Sequence, residues 1–159
     1  MNKYPNLLLD NQLCFSLYSA TNSITRYYRL YLKELGITYT QYLVLIALWE
    51  GDCKKASDIA SMLKLDLPTI TPMLKKLEKM GLINKIRSSA DERVTNVTLT
   101  KKGIDLEEPI AAIQDKVACK THLPTKEFNA LKKTLNELTA ALEISEHDLK
   151  EAKNFVSCD

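Results

Sequence analysis

The sequence predicts a mainly α-helical protein carrying one small β-hairpin, and three observations lead there. Glycine and proline are scarce, at four and five in 159 residues. Over most of the chain apolar residues recur at threes and fours, the spacing of one helix face. Only between Gly81 and Thr100 does the period switch to two, the alternation of half-buried strands.

Taken in order, the first helical stripe is Leu13, Leu17, Ala20, Ile24, Tyr27 and Tyr31, closed by Gly36 in the usual C-terminal role of glycine. A second helix is expected from about Thr40 to Glu50, burying Leu43, Leu45 or Ile46, and Trp49, with Gly51 and Asp52 breaking it. A short helix over about 56–63 leads into the turn Lys64-Leu65-Asp66, where Asp66 can cap the next helix. That helix has Pro68 in its first turn, where a missing N–H is harmless, and ends at Gly81. Its inward stripe is Ile70, Met73 or Leu74, Leu77 and Met80; its outward face carries Thr69, Pro72, Lys75, Lys76 and Lys79. Pro72, about one turn in, removes a backbone bond and leaves the helix start open.

Residues 82–86 and 94–99 then alternate as two short strands, joined by the polar loop Arg87 to Arg93. Thr100 is placed to cap a helix with Ile110, Ile113 and Val117 on one face. Leu123-Pro124 separates it from a final helix bearing Phe128, Leu131, Leu135, Leu138, Leu142, Leu149 and Val156. That stripe runs almost to the C-terminus, longer than a small helical domain needs for its own packing. A symmetric homodimer would supply the partner helix.

Composition sets the class. Hydrophobic residues make up 45% and charged residues 26%, ordinary globular usage, so a disordered tail or a fibre is excluded. The longest apolar runs fall far short of the ~20 residues of a membrane span, and the N-terminus lacks a secretory signal pattern. No membrane partner and a cytoplasmic location are therefore expected. The net charge of +2 hides an asymmetry: the stretch Cys53 to Gly103 carries +6 and the remainder −4. A basic block of this kind is the electrostatic footprint of polyanion binding, although a solvated basic face would look the same by charge alone.

Order of elements separates the two. A short helix, a tight turn, a lysine-bearing helix and a basic-tipped hairpin in direct succession make a winged helix-turn-helix. In that arrangement the second helix enters the major groove of double-stranded DNA and the hairpin reaches an adjacent minor groove. Lys75, Lys76, Lys79 and Arg87 would neutralise phosphates, and Thr69 and Thr71 would hydrogen-bond base edges or phosphates.

The hairpin carries a motif. Asp91, Arg93, Leu99 and Thr100 meet the pattern D-x-R-x5-L-T, which resembles the wing signature of MarR-type regulators. The resemblance implies a single domain over 1–159, with dimerisation helices at about 7–36 and 104–157 around a DNA-binding lobe at about 40–103. It also assigns Arg93 to the minor groove and Asp91 to orienting it, and it makes the chain a repressor rather than an enzyme. Leu67-Pro68 departs from the small residues that relatives tend to have there, which bears on operator sequence.

Four cysteines stand at 14, 53, 119 and 158 with no C-x-x-C, so neither a zinc site nor any other metal or cofactor is expected. Free cysteines in such a chain are by default inert. Cys14 differs in its neighbours: Tyr18 lies one turn along, Tyr28 continues the stripe, and six of the seven tyrosines lie between 18 and 42. A phenol donating to a thiolate favours the form that attacks peroxides. Tyr28 is fourteen residues from Cys14, or ~21 Å along a straight helix, so it could reach only the Cys14 of another subunit.

Within the same family, residues 10–15 (Asp-Asn-Gln-Leu-Cys-Phe) and 36–42 (Gly-Ile-Thr-Tyr-Thr-Gln-Tyr) resemble the organic-hydroperoxide-resistance regulators, OhrR type. That resemblance implies a peroxidatic Cys14 supported by Tyr28 and Tyr39 of the partner subunit, with Tyr18 a nearer neighbour. It further implies Cys119 as the resolving thiol of a two-cysteine branch and an organic hydroperoxide as the oxidant. An alternative keeps the scaffold but releases DNA on binding a small aromatic ligand. A thiol peroxidase reading lacks a second acid–base constellation, since both histidines lie in the C-terminal third.

Overall fold

A computed structural model describes residues 4–87, 94–144 and 148. The chain divides into two compact units after Lys120.

The first unit opens with single 3-10 turns at Pro5–Leu7 and Leu9–Asn11, then α1 (Leu13–Leu32). A helix from about residue 7 was expected; extended backbone at Leu8 and Gln12 delays it to Leu13. A 3-10 turn at Lys33–Leu35 leads to Gly36, whose left-handed φ of +70° makes the predicted stop.

Helix α2 (Tyr39–Trp49) starts with a capping box in which Thr38 accepts from the Gln41 N–H and Gln41 Oε1 accepts from the Thr38 N–H. Its buried residues are Gln41, Tyr42, Val44, Leu45, Ala47 and Leu48, whereas Leu43, Ile46 and Trp49 are half-buried. Of the stripe expected there only Leu45 is buried, because α2 is enclosed on several sides, by α1, α3 (Ala56–Met62) and α4 (Leu67–Lys79).

Asp66 caps α4 as expected, its carboxylate accepting the Thr69 N–H at 2.8 Å. The helix starts at Leu67 and runs through Pro72, with Ile70, Leu74 and Leu77 buried. The hairpin pairs β2 (Ile83–Arg87) with β3 (Thr95–Leu99), in register from Ile83 opposite Leu99 to Arg87 opposite Thr95. Arg87 thus closes a strand instead of opening the loop. A further strand, β1 (Lys54–Lys55), escapes any periodicity argument at two residues long; it pairs antiparallel with β3, giving the order β1-β3-β2. The Asp52 carboxylate, just before it, accepts from the Leu99 N–H at 2.8 Å.

The helix expected after Thr100 is broken into α5 (Lys101–Ile104) and α6 (Glu107–Cys119). The cause is local. The Trp49 indole N–H donates to the Gly103 carbonyl at 3.2 Å, the acceptor that the Glu107 N–H would need to carry α5 onward. Thr100 locks the same corner, its hydroxyl donating to the Gly81 carbonyl at 2.6 Å and accepting from the Gly103 N–H at 3.1 Å.

Leu45, Leu48, Ile59, Ile70, Leu77, Leu82, Ile83 and Val97 are fully buried and form the core of the first unit. At ~1.5–3 kcal/mol for each large apolar side chain, they supply much of its drive to fold. On α1 the balance reverses: only Leu32 is buried, while Leu13, Phe15, Tyr18, Ile24, Tyr27 and Leu30 are exposed.

The second unit contains α7 (Thr125–Ala141), none of whose residues is buried; Phe128 and Leu131 are exposed, and Leu135 and Leu138 half-buried. The helix closes at Ala141 with Leu142 as its cap, not near the C-terminus as expected, and no glycine or proline marks the stop. Leu149 and Val156 lie outside the described residues.

Two outcomes test this packing. A Cβ on Gly103 would stand 2.1 Å from the Leu82 carbonyl oxygen, so Gly103→Ala should destabilise by about 1–3 kcal/mol in chemical denaturation. An unchanged midpoint would contradict the close approach. The Thr69 hydroxyl and N–H hold the Asp66 carboxyl below its ordinary value of 3.8. The ionised form therefore stabilises the fold fully above that value, and this margin vanishes as pH falls through the lower folded value. Thermal melts of wild type and Asp66→Asn should converge on acidification; parallel curves down to pH ~2 would remove Asp66 from the account.

Candidate functional site

Two groups of residues stand out. The first is the outward face of α4, on which Thr69, Thr71, Pro72, Lys75, Lys76 and Lys79 are all exposed, as the alternation of the helix demands. None of the three lysines makes an ion pair among the described residues. The threonines are partly committed: the Thr71 hydroxyl donates to the Leu67 carbonyl at 2.8 Å, and the Thr69 hydroxyl donates to Asp66. Each keeps oxygen lone pairs for an incoming donor.

The hairpin adds exposed Arg87 at the end of β2. Lys85 is used differently, 2.8 Å from the Glu78 carboxylate, so it joins the hairpin to α4. Asp91 and Arg93 lie outside the described residues. The other half of the wing motif has a visible purpose, since Thr100 pins the hairpin to the end of α4 through Gly81.

The second group is built on α1 and α2. Cys14 is exposed in the first turn of α1, and Tyr18, one turn along, is 65% exposed. Tyr28, near the other end, packs against Tyr39 at the start of α2, with ring centroids 5.0 Å apart. Tyr42, which sequence reasoning missed, completes the cluster at 5.1 Å from Tyr28 and 5.7 Å from Tyr39. Its signal was available: Tyr39 and Tyr42 are three apart on one helix, hence on one face.

Burial and the adjacent Tyr28 phenol push the Tyr39 hydroxyl above its ordinary value. Burial, then a hydrogen bond with Tyr28, pushes Tyr42 higher still. Both phenols therefore stay protonated, as neutral O–H donors, through and beyond the physiological range. Cys119, the last residue of α6, is exposed, and Lys116 one turn before it lies 5.9 Å from the centre of the Tyr31 ring. The end of α6 is thus beside the Tyr28 half of α1, away from Cys14. Cys53 is exposed in the loop before β1 at a φ of +60°, and Cys158 lies outside the described residues. Among the described residues no three His, Cys, Asp or Glu side chains gather as a metal site would require, and no helix is long and apolar enough to cross a membrane.

Comparison with known proteins identifies the family. The family profile described as transcriptional regulator SarA/Rot matches residues 26–110. The organic hydroperoxide resistance transcriptional regulator of Bacillus subtilis (strain 168) is 38% identical over 141 residues, covering 89% of this chain and 96% of the relative. Among solved structures, reduced AbfR bound to DNA is 38% identical at a TM-score of 0.72, covering 84% of this chain and 92% of that one. AbfR is a Staphylococcus epidermidis protein. Its disulfide-formed state gives 38% identity and a TM-score of 0.59, over 84% of this chain and 89% of that one. With its winged helix, its D-x-R-x5-L-T hairpin and these likenesses, the chain belongs to the MarR/SarA family of transcriptional regulators, which are not enzymes.

Proposed function

We propose that this chain is a cytoplasmic homodimeric repressor that leaves operator DNA when an organic hydroperoxide oxidises Cys14. The observation that carries the reading is the pairing of Tyr28 with Tyr39, ring centroids 5.0 Å apart, at the end of α1 remote from its exposed thiol. Two copies crossing in opposite senses on their first helices would bring each thiol to the other's phenols. The exposed apolar residues of α1 are a surface such a dimer would cover, the winged lobe at about 40–103 remaining free for DNA.

The chemistry balances. The Cys14 thiolate attacks the terminal oxygen of R–O–O–H and the O–O bond breaks. Sulfur keeps the hydroxyl as a sulfenic acid, and alkoxide leaves to take a proton from water. Cys119 of the other subunit then attacks the sulfenic sulfur, forming the disulfide and releasing water. Disulfide geometry requires Cα atoms within about 7 Å; if the two thiols begin farther apart than that in the reduced dimer, the first helix and dimer region must rearrange and the wings lose their groove spacing. In support, the relative AbfR has been solved both reduced on DNA and in a disulfide-formed state.

On DNA, α4 would enter the major groove with Thr69, Thr71 and Pro72 toward bases or backbone, and Lys75, Lys76 and Arg87 on phosphates. Arg93, oriented by Asp91, would occupy the minor groove.

Peroxide should release wild-type protein from its operator in a mobility-shift titration while Cys14→Ser stays bound. Equal release of both would overturn the thiol reading; release by small aromatics with peroxide inert would favour a ligand-operated repressor. For the DNA face, Lys75→Ala with Lys76→Ala should lower the slope of log K against log[salt] by about two. An unchanged slope would remove these lysines from the phosphate contacts.

A further inference from the structure

We propose that Leu67, the first residue of α4, reads the 5-methyl group of a thymine in the major groove. This rests on the docking of α4 proposed above and adds a sequence preference to it. The N-terminal residues of a recognition helix are the ones that meet base edges, and here that end is apolar. Leu67 is 46% exposed, and Pro68 and Pro72 beside it are exposed as well. The cavity on the flank of Leu67, about 180 Å³, mixes apolar residues with Lys55, Ser57, Thr71, Lys85 and Thr95, so it is no closed apolar pocket for the leucine to fill.

Hydrogen-bond donors are withdrawn from the same end. Of the N–H groups that a helix start turns outward, Pro68 has none, and that of Thr69 is held by the Asp66 carboxylate at 2.8 Å. The Thr69 hydroxyl donates to Asp66 as well, and the Thr71 hydroxyl donates to the Leu67 carbonyl at 2.8 Å. The negative Asp66 carboxylate also repels a phosphate that would otherwise suit a helix start. The exposed side chains at 67, 68, 69, 71 and 72 thus offer hydrocarbon and hydroxyl lone pairs. Guanine shows only acceptors on its major-groove edge and finds no side-chain donor among them, whereas thymine shows a methyl group. The first lysine of the helix, Lys75, stands about 12 Å beyond Leu67 along the axis, so it does not change what the tip can read.

The test starts from an operator that reduced wild-type protein selects out of random duplexes. Each thymine in turn is replaced by deoxyuridine, which pairs identically and lacks only the methyl group. At one thymine of each half-site the wild type should lose about fourfold in affinity, and about tenfold or more when both half-sites are changed. Leu67→Ala should bind the thymine and deoxyuridine forms within about twofold of each other. Leu67→Met, an apolar side chain of similar volume, should keep the discrimination. Leu67→Ala should also keep the wild-type salt slope, since no phosphate contact is touched. If no thymine is sensitive, or the same thymine stays sensitive in Leu67→Ala, the inference is overturned and the docking of α4 stands. Wild-type protein that enriches no sequence would overturn the docking and this inference together.

Discussion

The length and stiffness of α1 govern the functional account. An α-helix advances 1.5 Å per residue, so twenty residues from Leu13 to Leu32 fix Cys14 and Tyr28 ~21 Å apart and Cys14 and Tyr31 ~25 Å apart. No side-chain rotation closes such a gap. The thiol stands at one end; Tyr28, Tyr39, Tyr42 and the Cys119 end of α6 gather at the other. A chemistry that joins the two ends needs a second molecule. The same helix leaves Leu13, Phe15, Ile24, Tyr27 and Leu30 exposed, the apolar surface through which a second copy would associate.

A switch also needs a connection between sensor and DNA face, and α2 provides a rigid one. Its first turn carries Tyr39 and, with Tyr42, the phenol cluster; its last residue, Trp49, donates to Gly103 at the corner between α5 and α6. From that corner Thr100 reaches Gly81 at the end of α4, and Glu78 on α4 meets Lys85 on the hairpin. Recognition helix and wing base are thus held to each other by side chains, with Asp52 fastening β3 from the opposite edge. In the proposed mechanism a displacement of the phenol cluster moves this lobe as one piece, altering the spacing between two wings instead of the shape of either.

Much of this was legible in the sequence. The helix-turn-helix followed from Asp66, Pro68 and the threes and fours of Ile70, Leu74 and Leu77, because caps and apolar periods are local signals. The hairpin followed from alternation. Features set by tertiary contacts were not legible. A two-residue strand at Lys54–Lys55 has no period, and the break between α5 and α6 depends on Trp49, fifty-four residues away from Gly103. The burial of α2 on several faces blurred the stripe expected from its sequence. At the sensor, spacing alone showed that Tyr28 could not serve its own Cys14, yet the joining of Tyr28 with Tyr39 and Tyr42 required the crossing of α1 and α2.

The most direct measurement is the intact mass of peroxide-treated wild-type protein under non-reducing denaturing conditions, followed by peptide mapping. The account predicts a covalent dimer whose cross-linked peptides join Cys14 of one chain to Cys119 of the other. A product of single-chain mass with Cys14 and Cys119 bonded internally, or one oxidised at Cys53 with Cys14 still a free thiol, would contradict it.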